Sequence, residues 1–570
     1  MDVTNENFLE LLPEIGETIG DCDFIAIDTE LSGLLRERNV NRFDLPEERF
    51  AREVESSRGY FIMQFGLSCF KRLDHLKYSN RTYNFYIFPQ PHKLHGDINR
   101  TFSVQAHAIQ FLCQHNFDFN KLFRHGVSYL TFQEKKLLTA ELKKEKKAQA
   151  KVGFNKHGVP DFVPPSMMSY CLECIKKVND FVEEQKIQKH CMALSSSNGD
   201  QDCDMNDASV EKKESESLGK KFEFRDCVSN HRRSVMKRVF ECLPIAENLH
   251  VEYARDPDTN ENYLVLEYMD KEVKSLKRSR ALSNAKGFLE VLELIIVNKK
   301  PLVGHNLSLD LIQIINQFME PLSDNYDAFK ETCHSLFPVI YDTKYIAHQI
   351  LDPKTLANNQ SRLNDLYCQL RTSTTFPKIS VTHTGQSFDD NQLPHQAGYD
   401  AYMSGYCFMA LCEGYLEVNK SKRYKANRTE PLPKQQQLVD EFSNKIHLSF
   451  SHDFKYILLN GQEQQPDRSH VFYVEFPSTW ALDDLFQLFY QYGGVEASRL
   501  SSSSALCGLR DHKQRDNVLK HIKHNKDANY RIYTYEYYMD NLKQRKKRPS
   551  RVLNDEDADI NDVDQPDDDA

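Results

Sequence analysis

Apolar residues in the first part of the chain follow the two spacings that distinguish strands from helices. Runs of apolar and aromatic residues predict strands, and apolar residues three or four positions apart predict amphipathic helices. The predicted strands cover residues 24–27, 60–70 and 83–88, and the predicted helices cover residues 105–113 and 133–150. Strands and helices mixed in this order are typical of an α/β domain, whose first part we assign to residues 1–157.

This pattern breaks near residue 158, where Gly158 is followed by three prolines within a few positions. We therefore predict a small inserted α+β module over residues 158–284. Inside it, residues 193–220 are rich in Ser, Asn, Asp, Glu and Lys and contain few apolar residues, so we expect a disordered loop. The other predicted elements of the insert are a basic helix over residues 231–242 and strands over residues 249–253 and 263–268.

The α/β spacing returns after the insert and is followed by a third module. The second part of the α/β domain, residues 285–437, has predicted helices at 288–297, 307–319 and 397–412 and strands at 301–303 and 337–341. The third module, residues 443–540, has predicted strands at 471–476, 495–500, 505–509 and 530–535 and helices at 482–492 and 516–524. This β-α-β-β-α-β order predicts a domain like an RNA-recognition motif. Residues 541–570 read as a basic run and an acidic, disordered tail.

Composition and charge fit several globular domains. The chain has 570 residues, of which 40% are hydrophobic and 27% charged. Its net charge is −10, but residues 551–570 hold nine acids and one Arg and supply −8 of it. The rest is nearly neutral, so any nucleic-acid binding must come from local basic surfaces. We expect no targeting peptide and no membrane span, because the first residues are acidic and the apolar runs are short.

Fourteen cysteines without regular spacing indicate free thiols in a reducing compartment. Cys171 and Cys174 have the spacing of a metal-binding pair, with His190 and Cys191 downstream. No second Cys-x-x-Cys accompanies them, however, and two cysteines three apart on an amphipathic helix more often pack inside a core. The spacing leaves zinc as the less favoured alternative.

Three short motifs supply candidate chemistry. Asp28 and Glu30 lie two residues apart at the end of a predicted strand, so both carboxylates point to one face. Asp310 follows a strand-to-helix turn, and His395 precedes Asp400 at the start of a helix. Four carboxylates and a histidine in one domain fit a site for two Mg²⁺ ions that act on a phosphodiester. With a near-neutral pKa, His395 could accept a proton from the attacking water.

Longer stretches around these motifs resemble the poly(A)-specific ribonuclease family, deadenylases of the DEDD exonuclease superfamily. The stretches that carry the resemblance are residues 24–33 (FIAIDTELSG), 43–49 (FDLPEER), 64–67 (QFGL), 84–89 (NFYIFP), 117–120 (FDFN), 301–306 (PLVGHN), 342–344 (DTK) and 395–401 (HQAGYDA). The resemblance spans most of the chain. It implies a ribonuclease H-like nuclease domain and places the chain in the subgroup whose third motif has His five residues before Asp.

The resemblance also implies roles for individual residues. Asp28, Glu30, Asp310 and Asp400, here called the four acids, would bind metal, and His395 would be the general base. The residues that would contact RNA are Leu31, Leu34, Ile109, Phe111, Asn306 and Lys344, and the only tryptophan, Trp480, would stack on an mRNA cap. Thr29 replaces a common Gly and Leu31 a common aromatic residue, which bears on base stacking and adenine preference.

The insert should correspond to the Arg-x-x-x-His nucleic-acid-binding domain of the family, but its signature is not intact. His250 follows Ala246 where Arg is expected, so phosphate contacts would fall to basic residues of the preceding helix, which otherwise read as a solvated face. The strand at residues 505–509 lacks the paired aromatic residues of an RNA-recognition motif. Neither departure removes a catalytic residue.

We therefore predict a Mg²⁺-dependent 3′-to-5′ exoribonuclease that acts on single-stranded poly(A), or on other RNA with a free 3′ hydroxyl, and releases 5′-AMP. The resemblance also implies a homodimer, and the basic run at residues 543–551 suits nuclear import, so we expect the nucleus and the cytoplasm. Two alternatives remain open at this point. One is a trimmer of small non-coding RNAs, and the other is a catalytically silent RNA-binding or cap-binding regulator.

Overall fold

The computed structural model describes residues 1–34, 41–90, 100–149, 151–196, 221–225, 227, 229–352, 361–385, 395–419, 430–524 and 529–547. The strands are β1 (Asp2–Val3), β2 (Phe24–Leu31), β3 (Ile62–Asp74), β4 (Lys77–Tyr86), β5 (Lys221–Phe224), β6 (Leu249–Arg255), β7 (Asn262–Tyr268), β8 (Leu302–Gly304), β9 (Ile340–Asp342), β10 (Ser380–His383), β11 (Lys445–His447), β12 (Tyr456–Leu458), β13 (Val471–Glu475), β14 (Val495–Ser501), β15 (Ser504–Leu509) and β16 (Arg531–Thr534).

The α-helices are α1 (Phe8–Asp21), α2 (Pro46–Ser57), α3 (Ala106–Gln114), α4 (Phe119–His125), α5 (Phe132–Gln149), α6 (Met168–Ser196), α7 (Asn230–Cys242), α8 (Lys271–Lys286), α9 (Phe288–Asn298), α10 (Ser308–Ile314), α11 (Tyr326–Leu336), α12 (Thr343–Ile350), α13 (Leu363–Thr372), α14 (Ala397–Val418), α15 (Gln436–Phe442), α16 (Leu482–Tyr490), α17 (Arg515–His524) and α18 (Tyr535–Lys547). A π-helix, Ile315–Met319, continues α10. None of the helices in these ranges is long and apolar enough to span a membrane.

The chain forms two compact units, and the first contains a mixed seven-stranded sheet. Its strand order is β1-β4-β3-β2-β8-β9, with β10 paired to β4. The pairs β2–β3 and β3–β4 are antiparallel, whereas β2–β8 and β8–β9 are parallel. The predicted α/β fold class is confirmed, and β2, which carries two of the four acids, lies inside the sheet.

Helix α14 packs against β2, which carries Asp28 and Glu30, and against the neighbouring strand β3. All its residues from Ala397 to Gly414 are buried. At Gly405 an added Cβ would lie 2.2 Å from the Phe70 ring, so a glycine is needed for α14 to approach β3 this closely. This packing sets the position of Asp400, in the first turn of α14, relative to β2.

The insert has its own apolar core. Its antiparallel sheet, in the order β5-β7-β6, contributes Phe224, Leu249 and Leu264 to that core, and helix α7 contributes Phe240. The core also holds Cys171 and Cys174, which are buried among apolar side chains as the packing alternative predicts. Among the residues that the structure describes, neither cysteine belongs to a group of His, Cys, Asp or Glu side chains close enough together to bind one metal ion.

Parts of the insert and the C-terminal end differ from the sequence prediction. Residues 193–196 of the predicted loop continue α6, and the rest of that loop, 197–220, lies outside the described residues. Strand β5 and helix α8 were not predicted, because β5 has four residues and α8 carries few apolar positions. Residues 543–547 of the basic run end helix α18, whereas the acidic tail lies outside the described residues.

The second compact unit contains the C-terminal module and two earlier segments. Described residues between 41 and 56, with 324–327, belong to this unit, although the sequence analysis placed them with the nuclease. Its four-stranded antiparallel sheet has the order β14-β15-β13-β16. One sheet face packs on α16 and α17, and the other holds Phe43, Val471 and Leu506, with Tyr538 of α18. The second face is therefore largely covered by the chain itself.

Candidate active site

Strand β2 presents Asp28 and Glu30 on one side of the sheet, with Thr29 between them. The Thr29 hydroxyl donates a hydrogen bond to the Asp310 carboxylate. Asp310 lies in the first turn of α10, as predicted. The threonine thus ties the first motif to the second, which are 281 residues apart in sequence.

The third motif is held against β3 and β4 by side chains of those strands. Gln64 accepts a hydrogen bond from the Ala397 backbone N–H at 2.9 Å, and Asn84 accepts one from Gly398 at 3.1 Å. Two N–H groups that the start of α14 leaves unpaired are satisfied in this way. An added Cβ at Gly66 would lie 1.8 Å from the Ala397 carbonyl oxygen. Only glycine allows the third motif to lie so close to the strand.

His395 is brought beside the acids by a left-handed turn. Its φ is 73°, and its backbone N–H donates to Asp400 at 3.1 Å. Ligand atoms of Glu30, His395 and Asp400 all lie within 4.8 Å of one another. The structure therefore brings Glu30 of β2 together with His395 and Asp400 in one site, as the sequence analysis expected.

The four acids repel one another in a partly buried site. Burial, followed by the charge of Asp400, raises the pKa of Asp28 well above its ordinary value, and burial likewise raises that of Glu30. Burial raises the pKa of Asp310 to about 6 and that of Asp400 to about 7. Such a concentration of unpaired negative charge is favourable only when cations offset it.

These residues fit divalent metal ions. All four are carboxylates, which are the oxygen ligands that Mg²⁺ and similar hard cations prefer. The Asp400 Oδ1 atom is buried and has no hydrogen-bond partner, so an oxygen with free lone pairs faces the interior of the site. Asp28, Glu30, Asp310 and Asp400 are the residues that would hold the metal.

Comparison with known proteins identifies the nuclease. Residues 3–408, which include all five predicted catalytic residues, match the CAF1 family ribonuclease, and residues 461–541 match an RNA binding domain. The chain belongs to the CAF1 ribonuclease family. The expected nuclease fold with a C-terminal RNA-binding domain is therefore confirmed. As a DEDD-type nuclease family, CAF1 ribonucleases use divalent metal ions.

Several full-length relatives are similar to this CAF1 ribonuclease. Poly(A)-specific ribonuclease PARN of Xenopus laevis is 28% identical over 95% of this chain and 81% of its own length. The Danio rerio PARN is 30% identical over 95% of this chain and 77% of its own. The Bombyx mori pre-piRNA 3′-exonuclease trimmer is 27% identical over 94% of both chains. The resemblance drawn from the motifs is confirmed.

His395 of this CAF1 ribonuclease has a different pKa from the near-neutral value assumed from sequence. Burial, followed by the nearby His115, lowers it to about 4. The ring centroids of His395 and His115 are 4.2 Å apart, and Phe111 contacts His395 edge-on at 4.6 Å. The near-neutral expectation is wrong because this enclosure removes water from the imidazole and so disfavours its charged form. The imidazole is neutral at pH 7 and can accept a proton.

The predicted RNA-contacting residues lie in different surroundings. Leu31 is 6% exposed, whereas Leu34 is 54% exposed and accessible to a ligand. Ile109 and Phe111 are partly buried on α3, and Phe111 lies against His395. The structure thus places Phe111 beside the predicted catalytic residues and leaves little of Leu31 for stacking on a base.

Asn306 and Lys344 are positioned by one carboxylate. Asp342 accepts hydrogen bonds from the backbone N–H groups of Asn306 and Lys344, both at 2.9 Å, and from that of Leu307 at 3.2 Å. Burial lowers the pKa of Lys344. Asp342 was overlooked as a functional residue, although its place at the end of β9 and the start of α12 is a typical helix N-cap signal.

The repulsion among the four acids predicts how metal-free protein responds to pH. The folded pKa of Asp310 and Asp400 is raised, so between about pH 4 and pH 7 these two acids bind more protons in the folded chain than in the unfolded chain. Their contribution to stability is therefore present at low pH within this window and is lost as pH rises. The urea unfolding midpoint of the unchanged protein in chelator, compared with that of Asp400→Asn at the same pH, should fall from pH 5 to pH 7.5.

The comparison isolates Asp400, because the amide cannot ionise, whereas Asp23→Asn, which alters an acid just before β2, should follow the unchanged protein at every pH. Added divalent cation should raise the midpoint of the unchanged protein at pH 7.5 more than that of Asp400→Asn. A midpoint of the unchanged protein that rises relative to that of Asp400→Asn over this window would contradict the prediction.

Proposed function

We propose that this CAF1 ribonuclease is a 3′-to-5′ exoribonuclease that shortens poly(A) tails and releases 5′-AMP by hydrolysis. The main support is that all four acids and His395 are present and meet in one site of a chain whose relatives over 95% of its length are named poly(A)-specific ribonucleases. A catalytically silent regulator would be expected to lack one of these residues. All five are present.

The cofactor in this proposal is a pair of Mg²⁺ ions held by the four acids. When bound, the metal would stabilise the charge that develops on the attacking and leaving oxygens. The chain itself would supply orientation and proton transfer. Thr29 keeps the Asp310 carboxylate in place by its hydrogen bond, and neutral His395 would accept a proton from the attacking water.

Recognition of the 3′ end would use the side chains around His395 and the segment tied by Asp342. In this proposal Phe111 and Ile109 contact a base, while Lys344 and Asn306 contact the phosphate and sugar. A base stacked on an aromatic ring contributes about 1–3 kcal/mol. Leu34 is exposed enough to contact RNA, whereas the buried Leu31 would support the strand rather than stack.

A comparison of homopolymers tests the proposed substrate. We expect 5′-labelled A20 to be shortened one nucleotide at a time, faster than U20 or a mixed-sequence RNA, with 5′-AMP as the product. A terminal 3′ phosphate should block the reaction. The Asp310→Asn variant, which keeps the size of the side chain, is the control for contaminating nucleases. Equal rates on A20 and U20 would refute a preference for adenylate.

The similarity to the Bombyx mori trimmer supports a second candidate function. That relative matches over 94% of both chains, so its length agrees more closely with this chain than the lengths of the PARN relatives do. As a trimmer, the enzyme would act on the 3′ ends of small non-coding RNAs of mixed sequence. Equal shortening of A20 and mixed-sequence RNA in the same assay would favour this function.

We also propose that Trp480 stacks on the mRNA 5′ cap. Its indole is partly buried, and its ring centroid lies 6.1 Å from that of Phe476 and 5.6 Å from that of Tyr530. The rest of the indole surface is accessible to a ligand. Because it is the only tryptophan, cap analogue should quench its fluorescence. Trp480→Ala should weaken cap binding by about 1–3 kcal/mol.

Tyr490→Ala is the matched control for this experiment, since Tyr490 is an exposed aromatic residue of the same module. It should leave cap binding unchanged, and both variants should still cleave A20. Unchanged fluorescence at saturating cap analogue would remove cap recognition from the proposal and favour the trimmer.

The remaining proposals concern assembly and location. We propose a homodimer, as the family resemblance implies, and sedimentation equilibrium of the full chain would test it by mass. We also propose that the protein occurs in the nucleus and the cytoplasm, with residues 543–551 acting in import. Replacing the basic residues of that run should then confine a fluorescent fusion to the cytoplasm.

A further inference from the structure

A cluster of histidine and carboxylate side chains lies in the C-terminal unit, outside the nuclease site. His452 and Asp453 lie between β11 and β12, and His470 lies directly before β13. One ligand atom from each of these three residues lies within 4.8 Å of the other two. We refer to His452, Asp453 and His470 as the His–Asp cluster.

The two imidazoles face each other through the same type of nitrogen. The Nε2 atoms of His452 and His470 are 3.2 Å apart, and the Asp453 Oδ1 atom is 3.7 Å from His452 Nε2. Two nitrogens bound to one tetrahedral Zn²⁺ lie about 3.3 Å apart, given Zn–N bonds of about 2.0–2.1 Å. The separation thus suits either one shared proton or one shared metal ion.

The surroundings fix the orientation of these groups. His452 Nδ1 is 2.8 Å from the Glu496 carboxylate, a contact that leaves Nε2 available toward His470. Carboxylates that orient metal-binding histidines in this way are a regular feature of zinc sites. Arg468 donates from Nε to Asp453 Oδ2 at 2.7 Å, which leaves Oδ1 facing the histidines. His470 is further held by His512, whose ring stacks on it at 3.6 Å.

Space for His452 depends on a glycine in the neighbouring strand. An added Cβ at Gly508 of β15 would lie 2.8 Å from His452 Nε2 and 3.0 Å from the Phe43 ring. Both histidine side chains are largely enclosed, with His452 13% exposed. A cation reaching this cluster would enter past the exposed part of His452 and be shielded from water on the other sides.

We propose that the His–Asp cluster binds one divalent cation of the class that prefers imidazole, represented by Zn²⁺. His452 Nε2, His470 Nε2 and Asp453 Oδ1 would be the protein ligands, and the fourth position of a tetrahedral ion would remain for water. The charge of Arg468 offsets one carboxylate, and Glu496 supplies a second negative charge nearby. The ion would link the loop that carries His452 to the strand β13, in the same module that carries Trp480.

Metal retention by the full-length protein tests this site. The metal-free chain would be incubated with Zn²⁺, dialysed against citrate and analysed for zinc by mass spectrometry. We expect His452→Asn and His470→Asn to retain about one equivalent less than the unchanged chain. His521→Asn, which alters a histidine of the same module outside the cluster, should retain the full amount. Asp310→Asn should not remove this equivalent, which separates it from metal bound at the nuclease site.

Two further measurements keep the result interpretable. Co²⁺ in the unchanged chain should give the visible absorption bands of tetrahedral coordination, and His452→Asn should lose them. Zn²⁺ should raise the apparent melting temperature of the unchanged chain and of His521→Asn, but not that of His452→Asn. Circular dichroism would show whether each variant folds, and Gly508→Ala, which crowds His452, provides a second route to weaker binding.

Equal zinc retention by the unchanged chain and a folded His452→Asn variant would overturn the proposal. The 3.2 Å contact would then be a hydrogen bond between the two imidazoles. The test does not depend on the substrate of the nuclease, because none of its readouts is RNA cleavage.

Discussion

Replacing any one of the four acids by its amide is expected to abolish cleavage of A20. Hydrolysis that relies on two metal ions needs all the carboxylate oxygens that bind them, and an amide supplies one weak oxygen ligand and no charge. The changes are Asp28→Asn, Glu30→Gln, Asp310→Asn and Asp400→Asn. The measurement is the rate of AMP release at saturating Mg²⁺, with chelator-treated enzyme as the reference for zero activity.

Each variant should nevertheless fold, since these side chains repel one another in the metal-free protein and their neutralisation removes that repulsion. Their unfolding midpoints in chelator at pH 7.5 should equal or exceed that of the unchanged protein. Asp23→Asn serves as the control, because Asp23 is an acid at the start of the same strand that binds the Arg72 backbone N–H instead. Near-normal rates in any one amide variant would exclude that residue from the metal site.

The second largest effect is expected for His395→Ala. Loss of a positioned general base lowers rates by about 10²- to 10⁴-fold, whereas the four acids would still bind metal. We therefore expect a strong loss of activity with Mg²⁺ affinity largely retained in a calorimetric titration. His115→Phe is the matched control, because it keeps an aromatic ring beside His395 while removing the second imidazole.

The titration distinguishes two roles for His395. Its ligand atom lies within 4.8 Å of those of Glu30 and Asp400, so the geometry also allows direct metal binding. Loss of Mg²⁺ affinity in His395→Ala would assign it to the metal rather than to proton transfer. An unchanged rate would remove it from both roles.

Several strands and helices of the nuclease domain could be predicted because their local sequences favour the structure that they adopt. Strand β2 begins with four apolar residues, and α10 and α14 have apolar residues that mark them as buried helices. The last predicted strand, residues 530–535, is confirmed as β16, whereas helix α18, which follows it, was not predicted, because its first residues include tyrosines, which favour strands. Its helical form depends on tertiary packing, including the Tyr538 contact with Tyr473.

The sequence alone was enough to propose the four acids of the site, but not the residues that position them. The acids follow from motif spacing, since a strand places residues two apart on one face. Thr29, Gln64 and Asp342 act through partners that are distant in sequence, and no local pattern reveals such contacts. The pKa of His395 depends on His115 in the same way.

The close contact between Gly66 and Ala397 also determines when the enzyme can become active during its synthesis. The first two acids are made early, but the site is incomplete until the segment carrying His395 and Asp400 has left the ribosome and docked on β3. A nascent chain that ends before Asp400 carries three of the four acids and lacks the fourth. A nascent chain is therefore expected to acquire its complete set of site residues only after the segment with His395 and Asp400 has folded against β3.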